Sequence, residues 1–176
     1  MPKKIDNVRE EILRVAANMF LNENMNDISM RKIATESKIG LGTVYNYFPS
    51  KLALLTEVID MKTGEQFEKI KVVIDNNDNV KEQFHKIYEV LRNDFDSMKS
   101  NQLRNVMSTI NEYSIEIKEE LEGKFIDFHS RVMKYIQEKM NLRSIVVARI
   151  FFGAIMWAAC DKVDFDEVWK ELEKLI

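Results

Sequence analysis

From Val80 to Met98 the apolar residues Val80, Phe84, Ile87, Leu91, Phe95 and Met98 recur at spacings of four, three, four, four and three. Side chains three and four apart share one face of an α-helix, so this pattern marks a helix with a single buried stripe. The same periodicity governs Val8, Ile12, Val15, Ala16, Met19 and Phe20, and again Leu121, Phe125, Phe128, Val132, Ile136 and Met140. Little interrupts it, because 176 residues hold only two prolines and five glycines. The expected fold class is all-α. The spacing predicts helices over about 5–23, 29–35, 40–47, 50–75, 80–100, 102–111, 114–140 and 143–160, with a last one from about 165. Gly123 is a point where the long helix over 114–140 could weaken or divide. Asp75-Asn76-Asn77-Asp78-Asn79 is a break, since Asx residues favour turns.

One segment speaks to function. In Ser29-Met30-Arg31-Lys32-Ile33-Ala34-Thr35, Ser29 suits an N-cap and Met30, Ile33 and Ala34 form a buried face. Glu36-Ser37-Lys38 reads as a turn and Ile39 as an inward anchor. A second helix then runs over Gly40-Leu41-Gly42-Thr43-Val44-Tyr45-Asn46-Tyr47. Val44 and Phe48, four apart, should point inward, leaving Leu41, Gly42, Thr43, Tyr45 and Asn46 on an outer face without an acid. Pro49 ends the helix and Ser50 can cap the next, with Lys51 in its first turn. Lysine in a first turn opposes the helix dipole, a conflict that a neighbouring phosphate removes.

Residues 9 to 55 resemble the DNA-binding domain of the TetR (tetracycline repressor) family. The resemblance rests on Ile12-Leu13, Ala16-Ala17, Phe20, Ser29, Ile33-Ala34, Gly42-Thr43-Val44-Tyr45-Asn46-Tyr47-Phe48, Ser50-Lys51 and Leu54-Leu55. It implies a helix-turn-helix DNA-binding domain over 1–50 and a helical ligand-sensing and dimerisation domain over 51–176. Three positions depart from the family pattern. Asn24 stands where glycine is usual, Ser37-Lys38 where Ala-Gly is common, and Gly40 where serine is usual. Asparagine tolerates a left-handed backbone, and Lys38 adds a positive charge to the turn. The expected DNA-binding residues are Ser29, Arg31, Leu41, Gly42, Thr43, Tyr45, Asn46, Tyr47 and Lys51. Ser29, Thr43, Tyr47 and Lys51 are expected on phosphates, and Leu41, Thr43, Tyr45 and Asn46 on bases or the groove wall.

Charge is distributed to match. Residues 1 to 55 carry a net +2 and the remaining 121 a net −5, within an overall −3. Cys160 is the only cysteine, so no disulfide forms within the chain, which suits a reducing cytosol; the expected localisation is cytoplasmic. The start, Met1-Pro2-Lys3-Lys4, has no character of a secretory signal. The longest apolar run, Ile145 to Cys160, has Arg149 inside it and is too short for a membrane span.

The segment over 143–160 is apolar nearly all round and is expected to be buried on most sides. Phe152, Ile155, Met156, Val168, Trp169 and Leu172 are candidates for a homodimer interface, with closure of the subunit's own core as the competing use. A small-molecule pocket is implied by the resemblance, and Phe67, Tyr88, Phe95, Met107, Tyr113, Phe128 and Trp157 are candidate lining residues. His85 and His129 stand alone, so no metal and no cofactor is expected. No catalytic constellation can be assembled, and the Cys160 thiol, set in an apolar run, should be inert, so the chain is not expected to be an enzyme. The expected function is a ligand-responsive regulator, a repressor, that binds a palindromic operator in double-stranded DNA as a homodimer. A small, largely apolar effector of unknown identity would release it. The alternative is a DNA-binding regulator answering to a protein partner.

Overall fold

The structure, a computed structural model, describes residues 7–77, 79–97 and 115–175. These are helical throughout, with no strand among them. In chain order the helices are α1 (Val8–Asn22), α2 (Met30–Ser37), α3 (Leu41–Tyr47), α4 (Lys51–Asp75), α5 (Val80–Ser97), α6 (Ile115–Lys139), α7 (Ile145–Asp161) and α8 (Phe165–Leu172). Short 3-10 turns lie at Met25–Asp27 and Glu173–Leu175. The helix expected over 102–111 lies outside the described residues.

Five of the helix starts carry side-chain caps. Ser29 Oγ accepts from the Lys32 amide (3.2 Å), Ser50 Oγ from Ala53 (3.0 Å), Asn79 Oδ1 from Glu82 (3.1 Å) and Ser144 Oγ from Val147 (3.3 Å). Asp164 Oδ1 accepts from the amides of both Asp166 and Glu167, as its position before an amphipathic run predicts. Each cap satisfies an amide that the helix itself leaves unpaired.

Three local expectations are corrected. First, α2 continues through Ser37, because Ser37 is buried and its hydroxyl donates to Ile33 O (2.7 Å) and Ala34 O (3.2 Å). The polar triplet is therefore mostly helix, and the turn begins at Lys38. Second, Asn24 is extended (φ −70°) and uses its side chain to accept from the Asn26 amide, so its left-handed tolerance is not called upon. Third, Gly123 does not divide α6, which runs unbroken from Ile115 to Lys139.

The described residues divide into two compact units. One holds the residues through Lys62 together with those that end at Glu122; the other holds Thr63–Ser97 and the residues from Gly123 onward. In the first, α1 packs on α2 and α2 on α3. Ile12, Ala16, Ile33, Val44, Phe48 and Leu54 are all at most 1% exposed. Burying one such side chain contributes about 1.5–3 kcal/mol, so this short segment has a real core.

In the second unit α5, α7 and α8 pack together. Phe84 lies 5.0 Å from Phe151 and 6.1 Å from Trp169, ring centre to ring centre, and Phe165 stacks on Trp169 at 5.8 Å. The turn between α4 and α5 is keyed by Gln83, a buried amide whose Nε2 donates to Ile74 O (3.0 Å) and Asn77 O (2.6 Å). Tyr135 donates to the Asp75 carboxylate at 2.7 Å, and burial together with that bond pushes its phenol up to about 12.

The expectation for α7 is half right. Val147, Ala148, Phe151, Phe152, Ile155, Ala158 and Ala159 are buried, but within the chain Val146 is 61% exposed, Ile150 45% and Trp157 54%. One side of this helix is covered and the other is not. Cys160 is exposed too, so its thiol does not sit in the apolar surroundings that its neighbours in sequence suggest. No helix is long and apolar enough to cross a membrane among the described residues.

Candidate nucleic-acid interface

The site is built on α2, α3 and the turn between them. Lys38 closes α2 in the left-handed conformation (φ 58°), and its amide donates to Thr35 O; Ile39 N then reaches Ala34 O at 3.0 Å. Gly40 precedes α3 with φ −59° and ψ 137° and offers no side-chain cap. Val44 (0% exposed) and Phe48 (1%) anchor α3 inward, as their four-residue spacing predicts. Arg9 lies over the Phe48 ring, 5.5 Å from its centre, while bonding Glu57 at 2.7 Å.

With that anchor fixed, Gly42, Thr43, Tyr45, Asn46 and Tyr47 all face solvent, and Leu41 is half-buried. Tyr45 and Tyr47 are 48% and 46% exposed, which is unusual for such large rings in a well-packed segment. A Cβ at Gly42 would meet nothing within 4 Å, so the fold does not require glycine there. Glycine inside a helix costs about 0.8–1.0 kcal/mol relative to alanine. The face it leaves is smooth, carries no acid, and presents hydroxyls and a carboxamide. Asn46 can pair two-pronged with an adenine edge, and the hydroxyls can meet phosphate or bases.

The remaining expected residues divide. Arg31 is exposed on α2. Ser29 is exposed, but its Oγ is committed to the Lys32 amide. Lys51 is only partly exposed, and its ammonium donates to Met25 O (3.1 Å) and Ile28 O (3.2 Å). It therefore ties the start of α4 to the segment before α2, a structural use that the phosphate reading did not anticipate. Of the cations from Arg9 to Lys51, Arg14 pairs with Glu11 and Lys32 with Glu23. Arg31 and Lys38 form no ion pair among the described residues. The sequence reading left Lys38 out of the site, although its charge in a turn that usually holds glycine was the available signal.

The candidates in the second unit scatter. Phe152, Ile155, Trp169 and Leu172 are buried in the subunit's own core, the competing use. Met156 and Val168 are half-buried against that core. Phe67 lies under Arg131 (4.6 Å) and beside Tyr135. Tyr88 donates to Val163 O at 2.9 Å and sits by Phe165. Phe95 and Phe128 are half-buried, Trp157 is exposed, and Met107 and Tyr113 lie outside the described residues. A groove of about 370 Å³ between α6 and α7, lined by Ile126, His129, Met133, Arg149 and Gly153 among others, contains none of the five candidates that are described.

A short acid-free helix, held outward across a tight turn from a second one, is the helix-turn-helix arrangement that suits a DNA groove. Residues 12–58 match the family of bacterial regulatory proteins, tetR family. An HTH-type transcriptional regulator of Staphylococcus aureus (strain USA300) is 32% identical over 92 residues, 52% of this chain and 46% of its own length. The match thus spans about half the length of that curated relative. Among solved structures, a transcriptional regulator from Streptomyces coelicolor A3(2) superposes with a TM-score of 0.76 at 12% identity, over 96% of this chain and 98% of the other. A TetR-family transcriptional regulator from Streptomyces coelicolor does so at 0.65 and 14%, over 95% and 90%. Residues 12–58 are thus similar to the DNA-binding segment of the TetR family of transcriptional regulators, and the whole chain shares the fold of solved members.

Proposed function

We propose that the chain is a ligand-responsive repressor in the cytoplasm, acting as a homodimer on a palindromic operator. The observation that carries this is the exposed face of α3, which pairs Tyr45, Asn46 and Tyr47 with an acid-free surface. Paired copies of α3 enter successive major grooves when about 34–36 Å apart. Val146, Ile150 and Trp157 on α7 support self-association, since exposed apolar side chains gathered on one helix face mark an interaction site. A small apolar effector that favours the wrongly spaced pair would release DNA, and a coupling of about 1–3 kcal/mol changes affinity roughly 5–150-fold. The domain boundary near residue 50 and the half-buried aromatics Phe67, Phe95 and Phe128 belong to this reading. Control by a protein partner is the alternative.

The test is a titration of the chain against its own upstream DNA at several salt concentrations, with footprinting. Two protected half-sites one turn apart, on a protein sedimenting as a dimer, are the expected result. A monomer that protects no site overturns the reading. A thermal-shift screen of apolar compounds then separates the two forms of control.

A further inference from the structure

Two lysines in this chain hold the same costly backbone. Lys38 (φ 58°) and Lys162 (φ 63°) both close a helix in the left-handed region. A residue with a Cβ pays about 1–2 kcal/mol there, which glycine avoids. Lys162 has a visible return, because its ammonium bonds Asp96 at 3.0 Å. Lys38 has none: it is exposed and forms no side-chain hydrogen bond or ion pair among the described residues.

Its surroundings suggest the missing partner. Lys38 lines a cleft of about 490 Å³ with Arg31, Thr35, Ile39, Gly40 and Leu41. Arg31 likewise pairs with no anion among the described residues, so two positive charges without an ion pair face one open cleft at the start of α3. Glu36 is the nearest acid in sequence, and it bears on Lys32, adding to the pull that Glu23 exerts there. Thr35 Oγ1 is turned back onto Arg31 O (3.0 Å) and does not compete.

We propose that this cleft seats a backbone phosphate of duplex DNA, and that Lys38 is a binding residue for it, with Arg31 opposite. The proposal rests on the DNA-binding reading and adds to it a contact made by the turn itself. Strain kept at a surface position without a partner in the free chain is what a binding residue shows.

The experiment uses the full chain and random-sequence duplex DNA, with affinity measured across a salt series. Lys38→Gly relieves the backbone and removes the charge. Lys38→Gln keeps the backbone and removes the charge alone. Both variants are expected to lose about one unit of salt slope, and so to bind about eightfold more weakly at 0.1 M salt, equally on all sequences. Lys38→Gly should also melt at a higher temperature than the wild type, which excludes unfolding as the cause. If both variants keep the wild-type slope, Lys38 is only a helix cap and the proposal fails alone. If the wild type itself shows no salt-dependent retention, the DNA-binding reading fails and this one with it.

Discussion

The outer faces of α3 and α7 are both exposed, and both carry large side chains, yet they are unlike in chemistry. On α3 the exposed groups are Thr43, Tyr45, Asn46 and Tyr47, each ending in a hydrogen-bonding atom. On α7 the large apolar ones are Ile145, Val146, Ile150 and Trp157, which end in carbon or an indole, with Arg149 exposed among them. A partner for the first must supply donors and acceptors in a fixed pattern, as base edges and phosphates do. A partner for the second would gain mainly by excluding water, as another protein surface does. Exposure alone does not name a partner; the terminal atoms narrow its chemistry.

The sharpest break of this comparison lies within α7 itself. Phe152→Ala, on the covered side, should cost about 3–5 kcal/mol of folding stability, read by chemical denaturation. Trp157→Ala, on the open side, should leave the unfolding of a dilute sample nearly unchanged. It should instead weaken self-association by 2 kcal/mol or more, about thirtyfold, read by sedimentation. Equal effects on folding would remove the distinction between the two sides.

Lys51→Ala probes whether the neighbour of α3 is structural. Loss of its bonds to Met25 O and Ile28 O should lower stability by about 1.5–3 kcal/mol while the DNA salt slope stays put. A slope smaller by one unit with unchanged stability would restore the phosphate role. The smallest effect is expected at Gly42. Gly42→Ala should stabilise α3 by about 0.8–1.0 kcal/mol, since its Cβ has open space, and should reduce DNA affinity. Stronger or equal binding would show that the smooth face is not needed for close approach.

Much of this was legible in the residues themselves. Ser29, Ser50 and Asp164 announced helix starts by chemistry that acts locally, and Val44 and Phe48 announced the inward side of α3 by spacing alone. The second unit was less legible. Because α7 is apolar nearly all round, its sequence has no polar stripe to mark the open side, and Phe152 cannot be told from Trp157 until α5 and α8 are in place. Ser37 misled for a related reason. A hydroxyl counts as polar in a sequence, but one that donates to Ile33 O and Ala34 O has left solvent. Lys38 was visible as a charge, while its left-handed backbone was not.

Gln83 carries a consequence for what this chain can tolerate. Its carboxamide supplies two protons to two carbonyls at the bend between α4 and α5. Glutamate has nearly the same shape and brings no proton at neutral pH, so it would aim negative charge at both oxygens. Methionine matches the length and leaves them dry. At this bend the permitted alphabet is set by counting hydrogens rather than by filling space, and a residue that looks like the mildest change on paper becomes one of the least acceptable.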